Sequence, residues 1–317
     1  MQAGIVISQI FVLAVVVIIG VIAARFRVLT IDTKDMLSKV IFNISLPLML
    51  LTNFLTIEAT PRLIANSLTV LLITALIIFF MLFVGWMTTG IFKITGKEAA
   101  VFRVHSMFGN TIFLGFPLIT SLFGQEGLLY ASMYQLVSTI IMWSAGVIVL
   151  THNRETSLRS SIMRVVNPNT IATLIGFILF LFSVRVPEII VRPLAELGAA
   201  NTWLSMLYIG AMLALSDVGG VLGKKSPYIL SFNRLVFIPA VLITVFVMFA
   251  AVMGTTPDKL VLSVIILEAS MPCMASVVIM AKEFNSDDRL AVGNVFVSTM
   301  LSIVTLPLLV MALNRFL

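Results

Sequence analysis

Apolar runs of about twenty residues recur along the whole chain, parted by short polar joints, and that spacing leaves few folds open. Ten such runs can be marked, over 5–24, 36–55, 67–92, 101–123, 128–150, 170–184, 194–215, 228–253, 260–281 and 290–313. In hydrocarbon every backbone N–H and C=O needs an internal partner, so segments of this length span as α-helices. Composition agrees, with 60% of the 317 residues hydrophobic, 11% charged and a mean hydropathy of +1.14. No ordinary soluble domain carries such values. The expected fold class is an all-α polytopic membrane protein with ten transmembrane helices. The first run lacks the positive leader of a signal peptide and is expected to be a retained span.

Charge sorts the joints into two sets. The first, third, fifth, seventh and ninth hold 15 of the 20 basic residues, among them Arg25, Lys39, Lys93, Lys97, Arg103, Arg164, Lys224, Lys225, Arg234 and Lys282. The other side has Arg62, Arg185, Arg192, Lys259 and Arg315. The positive-inside rule then makes the odd joints cytoplasmic and sets both termini outside. The net charge of +6 is topogenic on this account and points to no nucleic-acid partner. The acids fall in or beside joints, with the exception of Glu268, which stands inside the ninth run.

The long joint after Leu150 divides the chain into residues 1–151, a cytoplasmic linker 152–169 and residues 170–317. Each half holds five runs, an odd number, so the halves insert with opposite topology. That is the inverted-repeat plan of many secondary transporters. QLVSTI at Gln135–Ile140 resembles FVSTML at Phe296–Leu301, a faint internal echo. The fourth and ninth runs then correspond, and both are interrupted: HSMFGNTIFLGFPLITSLFG around Pro117, and LEASMPCMASVVIMAKEFN around Pro272. Proline has no N–H to return to the carbonyl four residues back, so a helix kinks or breaks there. Taken singly, Pro117 or Pro272 is as well explained by a kink, but matched interruptions in inverted halves point to a midplane site.

The candidate site residues follow from that pairing: Asn110, Thr111, Gly115 and Pro117 from the fourth run, and Ser270, Met271, Pro272, Cys273 and Ala275 from the ninth. Half-helix N-termini directed at the centre would offer N–H groups and positive dipole ends to an anion such as a carboxylate. Both prolines are expected at first helical positions, where no donor is needed. No Arg or Lys is expected deep in a span, so backbone donors would carry the anion. Glu268 is expected to be neutral when substrate binds, either as a proton carrier or as a structural acid. His105 is a second proton-handling candidate, set against its being an interfacial or packed histidine. Asn43, Gln135 and Asn294 are expected to line the cavity, although helix–helix hydrogen bonding explains each of them as well.

Other classes are excluded or weaker. One cysteine, two histidines far apart in sequence and no HExxH motif leave no metal site and no cofactor to expect. There is no GxSxG and no P-loop, so neither a hydrolase nor an ATP-driven pump is indicated. A cation/proton antiporter or sodium-coupled symporter of similar architecture is the alternative, with Glu268 as its one intramembrane acid.

The motifs NPNT at Asn167–Thr170, GNTIFLGFPL at Gly109–Leu118, EASMPCMA at Glu268–Ala275, AKEFN at Ala281–Asn285 and GAMLALSD in the seventh run resemble the auxin efflux carrier family. Its bacterial members include malate and malonate permeases. The resemblance spans both halves and implies ten spans in two inverted five-helix repeats, with broken fourth and ninth helices that cross. It also implies a small organic anion as substrate, with its carboxylate near Asn110, Thr111, Pro117 and Pro272. Elevator-like movement, a homodimer and a bacterial cytoplasmic membrane are implied with it. The short central joint differs from the large loop of plant members, and the third run lacks their charged residues, which disfavours auxin itself. The expected partners are therefore a small carboxylate, protons and membrane lipids.

Overall fold

The computed structural model describes residues 3–151, 164–254 and 258–316. Most of the linker expected at 152–169 thus lies outside the described residues. The described chain is helical almost throughout. The first half runs α1 (Ala3–Arg25), α2 (Ile31–Val40), α3 (Leu46–Thr56), α4 (Pro61–Ile91), α5 (Gly96–Met107), α6 (Phe116–Ile141) and α7 (Val147–Thr151). It continues through α8 (Pro168–Leu181), α9 (Glu188–Leu215), α10 (Ser226–Phe232), α11 (Ile238–Met253), α12 (Lys259–Ala269), α13 (Ser276–Glu283) and α14 (Asp288–Phe316).

Among the described residues six helical stretches are long and apolar enough to cross a membrane: Ile31–Thr56, Pro61–Ile91, Thr111–Thr151, Glu188–Leu215, Ser226–Val252 and Asp288–Phe316. Phe11–Arg25 and Pro168–Leu181 are shorter apolar helices. The 41-residue stretch Thr111–Thr151 would measure about 62 Å as one straight helix, twice a bilayer's hydrocarbon core. It does not run straight, because Gly124 turns the chain at φ 65° and ψ −149°.

Among the described residues four π-turns interrupt the helices, at Ile41–Ser45, Thr111–Gly115, Met142–Gly146 and Asn233–Phe237. Three of them end two residues before a proline: Pro47, Pro117 and Pro239. A widened turn relieves the clash between the proline ring and the carbonyl of the preceding turn, so these prolines stay inside continuous spans.

The chain divides into two compact units, each drawn from both halves of the sequence. Unit 1 is Met1–Leu71, Ile112–Leu136 and Met163–Leu215; unit 2 is Leu72–Thr111, Val137–Ile162 and Ser216–Leu317. In unit 1, α1 packs closely on α9. A Cβ on Gly20 would lie 2.5 Å from the Leu207 carbonyl oxygen, so the contact requires glycine there. Ser45 donates to Asn201 Oδ1 at 3.2 Å in this unit, and Phe113 stacks on Tyr208 with centroids 4.4 Å apart. Unit 2 contains α5 and α12, the two helices that stop at the breaks, together with α13.

Candidate functional site

The site in unit 2 begins where α5 and α12 stop. Beyond Met107 and Ala269 the backbone leaves the helix, and the two freed segments pair antiparallel at Gly109 and Cys273. Asn110 N–H donates to the Pro272 carbonyl at 2.7 Å, and Met274 N–H donates to that of Phe108 at 3.3 Å. Cys273 N–H donates to Ser298 Oγ on α14 at 2.9 Å. Groups that helix breaking would leave orphaned in hydrocarbon are thus satisfied by one another.

The carbonyl ends of the two broken helices meet a single cation. Arg234, in the Asn233–Phe237 turn, is fully buried. Its Nε donates to Met271 O at 2.9 Å, Nη1 to the carbonyls of His105 and Ser106 at 2.8 Å each, and Nη2 to Ala269 O at 3.1 Å. A planar guanidinium suits this work because its donors fan out in fixed directions. Gly109 closes the arrangement: a Cβ there would sit 2.5 Å from Arg234 Nη2 and 2.9 Å from Met271 Cβ.

Arg234 overturns two expectations at once. Its charge is not part of a loop, and a cation does lie deep inside a span. The signal was present in YILSFNRLVFIPAVL, where the arginine falls seven residues into an apolar stretch and five before Pro239. Its nearness to Lys224 and Lys225 is what assigned it to the joint.

Around this centre the structure gathers Asn110, Thr111, Met271, Pro272, Cys273 and Ala275 in unit 2, all buried. Ser270 is buried with them, and its hydroxyl donates back to Ile266 O at 2.6 Å within its own helix. Gly115, Pro117, Asn43 and Gln135 belong to unit 1. Asn43 is exposed and donates to Lys39 O at 2.9 Å, while the buried polar contact of that helix is made by Ser45.

Neither proline opens a helix. Pro117 stands six residues beyond Thr111, where the π-turn begins, and Pro272 lies within the break, four residues before Ser276. Each is placed by the geometry it disrupts, a widened turn for Pro117 and the paired extended segment for Pro272. The N–H groups of Asn110, Cys273 and Met274 are also committed inside the crossing, so fewer backbone donors face a ligand than expected.

Glu268 and His105 are both fully buried. Neither carboxyl oxygen of Glu268 has a hydrogen-bond partner among the described residues. His105 is packed rather than interfacial, one turn before the break in α5. Its Nε2 is 3.3 Å from the Met274 carbonyl oxygen and its Nδ1 is 3.2 Å from Asn294 Nδ2. A carbonyl only accepts and an amide nitrogen only donates, so Nε2 carries the proton and Nδ1 is bare. Asn294 therefore serves as the orienting partner of a neutral His105. Among the described residues no group of three or more His, Cys, Asp or Glu could hold a metal ion.

The family comparison makes the chain a membrane transporter rather than an enzyme. The model of the family described as Membrane transport protein matches residues 5–162 and 158–310, nearly the whole chain. The chain belongs to that family, the one that includes the auxin efflux carriers. An uncharacterized transporter of Methanocaldococcus jannaschii is 25% identical over 309 residues, covering 94% of this chain and 96% of its own. An uncharacterized transporter of Methanothermobacter thermautotrophicus is 29% identical over 216 residues, 63% of each chain.

Proposed function

We propose that this transporter is a secondary carrier of small organic anions, with dicarboxylates such as malate foremost. Ten spans in two inverted five-helix repeats work by alternating access in the cytoplasmic membrane of a prokaryote, with both termini outside. The observation that carries the anion reading is the placement of Arg234. A helix C-terminus holds roughly half a negative charge and an N-terminus roughly half a positive one. One guanidinium on four carbonyls offsets the two negative ends of the broken helices. The positive end of α13, which begins after the second break, is left to attract a carboxylate. Asn110 and Thr111 of the same unit add side-chain hydrogen bonds.

An ionised carboxylate buried with no donor would cost several kcal/mol. Glu268 is accordingly the neutral acid while substrate is bound, and it carries the proton of a symport cycle. The same unpartnered carboxyl favours one competing reading, in which Glu268 ligates a sodium ion or exchanges protons against a cation. Uptake of labelled malate into proteoliposomes separates them, measured with imposed pH or sodium gradients and with Pro272→Ala alongside. The anion reading expects uptake that a pH gradient drives and that a folded Pro272→Ala variant loses. No malate uptake under any gradient would defeat it.

A further inference from the structure

Besides the paired segments, unit 2 carries a groove open to its surface. The groove, of about 570 Å³, is lined by Phe79, Phe83 and Trp86 of α4, Arg103 of α5, and Ile148 and Val149 of α7. Phe79, Phe83, Trp86 and Ile148 are 51%, 54%, 60% and 49% exposed, so the groove opens where lipid chains pack. Phe79 and Trp86 are seven residues apart, so the aromatic wall rises about 10 Å along α4. Trp86 stands at the loop end of that wall, where an amphipathic ring meets the headgroup layer.

Arg103 closes the same end. Its Nε donates to Thr89 Oγ1 at 3.0 Å, and this is the one interaction the guanidinium makes among the described residues. Both Nη groups remain for a ligand. The nearby acid does not neutralise it: Glu98 accepts from Ser226 Oγ at 2.5 Å and lies 3.9 Å from Lys224 Nζ. Lys93, exposed in the turn joining α4 to α5, and Lys97, exposed in the first turn of α5, add two positive charges at that end. An arginine at the rim of an apolar groove calls for an anion, and the groove below it calls for an acyl chain.

We propose that this groove binds an anionic phospholipid, its phosphate on Arg103 and one acyl chain along Phe83 and Trp86. The site is independent of the transported substrate, and its test reads binding rather than uptake. The purified protein in detergent is melted with phosphatidylglycerol, with phosphatidylcholine of the same acyl chains, and with free glycerol phosphate. Phosphatidylglycerol is expected to raise the melting temperature by several degrees, the other two to leave it unchanged, and Arg103→Gln to remove most of the rise. An undiminished rise in Arg103→Gln, or an equal rise with phosphatidylcholine, overturns the proposal. Native mass spectrometry of the wild-type protein gives a check that needs no variant. Phosphatidylglycerol adducts should outlast phosphatidylcholine adducts under collisional activation, and equal retention would refute the site.

Discussion

Replacing Arg234 with methionine tests how the crossing is held. The change keeps an unbranched apolar stem and removes four hydrogen bonds, leaving the carbonyls of His105, Ser106, Ala269 and Met271 without that partner. Hydrogen bonds measured within membranes average about 0.6 kcal/mol, and a typical buried protein bond contributes about 1 kcal/mol. Four of them place the loss at about 2–4 kcal/mol. The chain carries its own reporter, because Cys273 is its single cysteine, is fully buried, and is the residue paired with Gly109. If alkylation of the thiol requires the crossing to open, that loss speeds labelling by roughly 30- to 700-fold. The assay is the rate of maleimide modification in detergent, with melting curves to establish that the variant is folded. An unchanged labelling rate in folded Arg234→Met would refute the reasoning, since the guanidinium would then not be holding the broken helices together.

Three further outcomes are expected. Gly109→Ala forces a methyl to within 2.5 Å of Arg234 Nη2 and should lower stability by about 1–3 kcal/mol, read as a fall in melting temperature. Ser298→Ala removes the hydroxyl that accepts from Cys273 N–H and should raise the maleimide rate by roughly fivefold, about 1 kcal/mol, while Thr244→Val, altering an exposed hydroxyl, should not. Glu268→Gln should flatten the pH dependence of uptake while leaving the protein folded; the wild-type pH profile in that variant would reduce Glu268 to a structural acid.

Much of this arrangement is legible in the residues because hydrocarbon punishes exceptions. A run long enough to span, a lone acid at Glu268, and breaks near Asn110 and Pro272 all stand out against a uniform apolar background. Arg234 is harder to recognise. A loop arginine and a buried one look alike in sequence, and only the partners decide; here those partners are main-chain carbonyls, which leave no mark on residue identity. The same blindness covers the pairing of Gly109 with Cys273 and the π-turns before Pro47, Pro117 and Pro239, which depend on backbone geometry. Asn294 is singled out by its polarity within an apolar run, yet its contact with His105 is a matter of tertiary placement between helices far apart in the chain.

The most direct test of the central claim, that the crossing binds a carboxylate, is a melting-temperature titration of the purified protein in sodium-free buffer. It compares malate with chloride, and repeats the comparison with sodium added. Malate is expected to stabilise the wild-type protein without sodium, and Asn110→Ala to abolish the effect while remaining folded. Stabilisation by sodium chloride alone, with none from malate in its absence, would contradict the claim and assign the site to a cation.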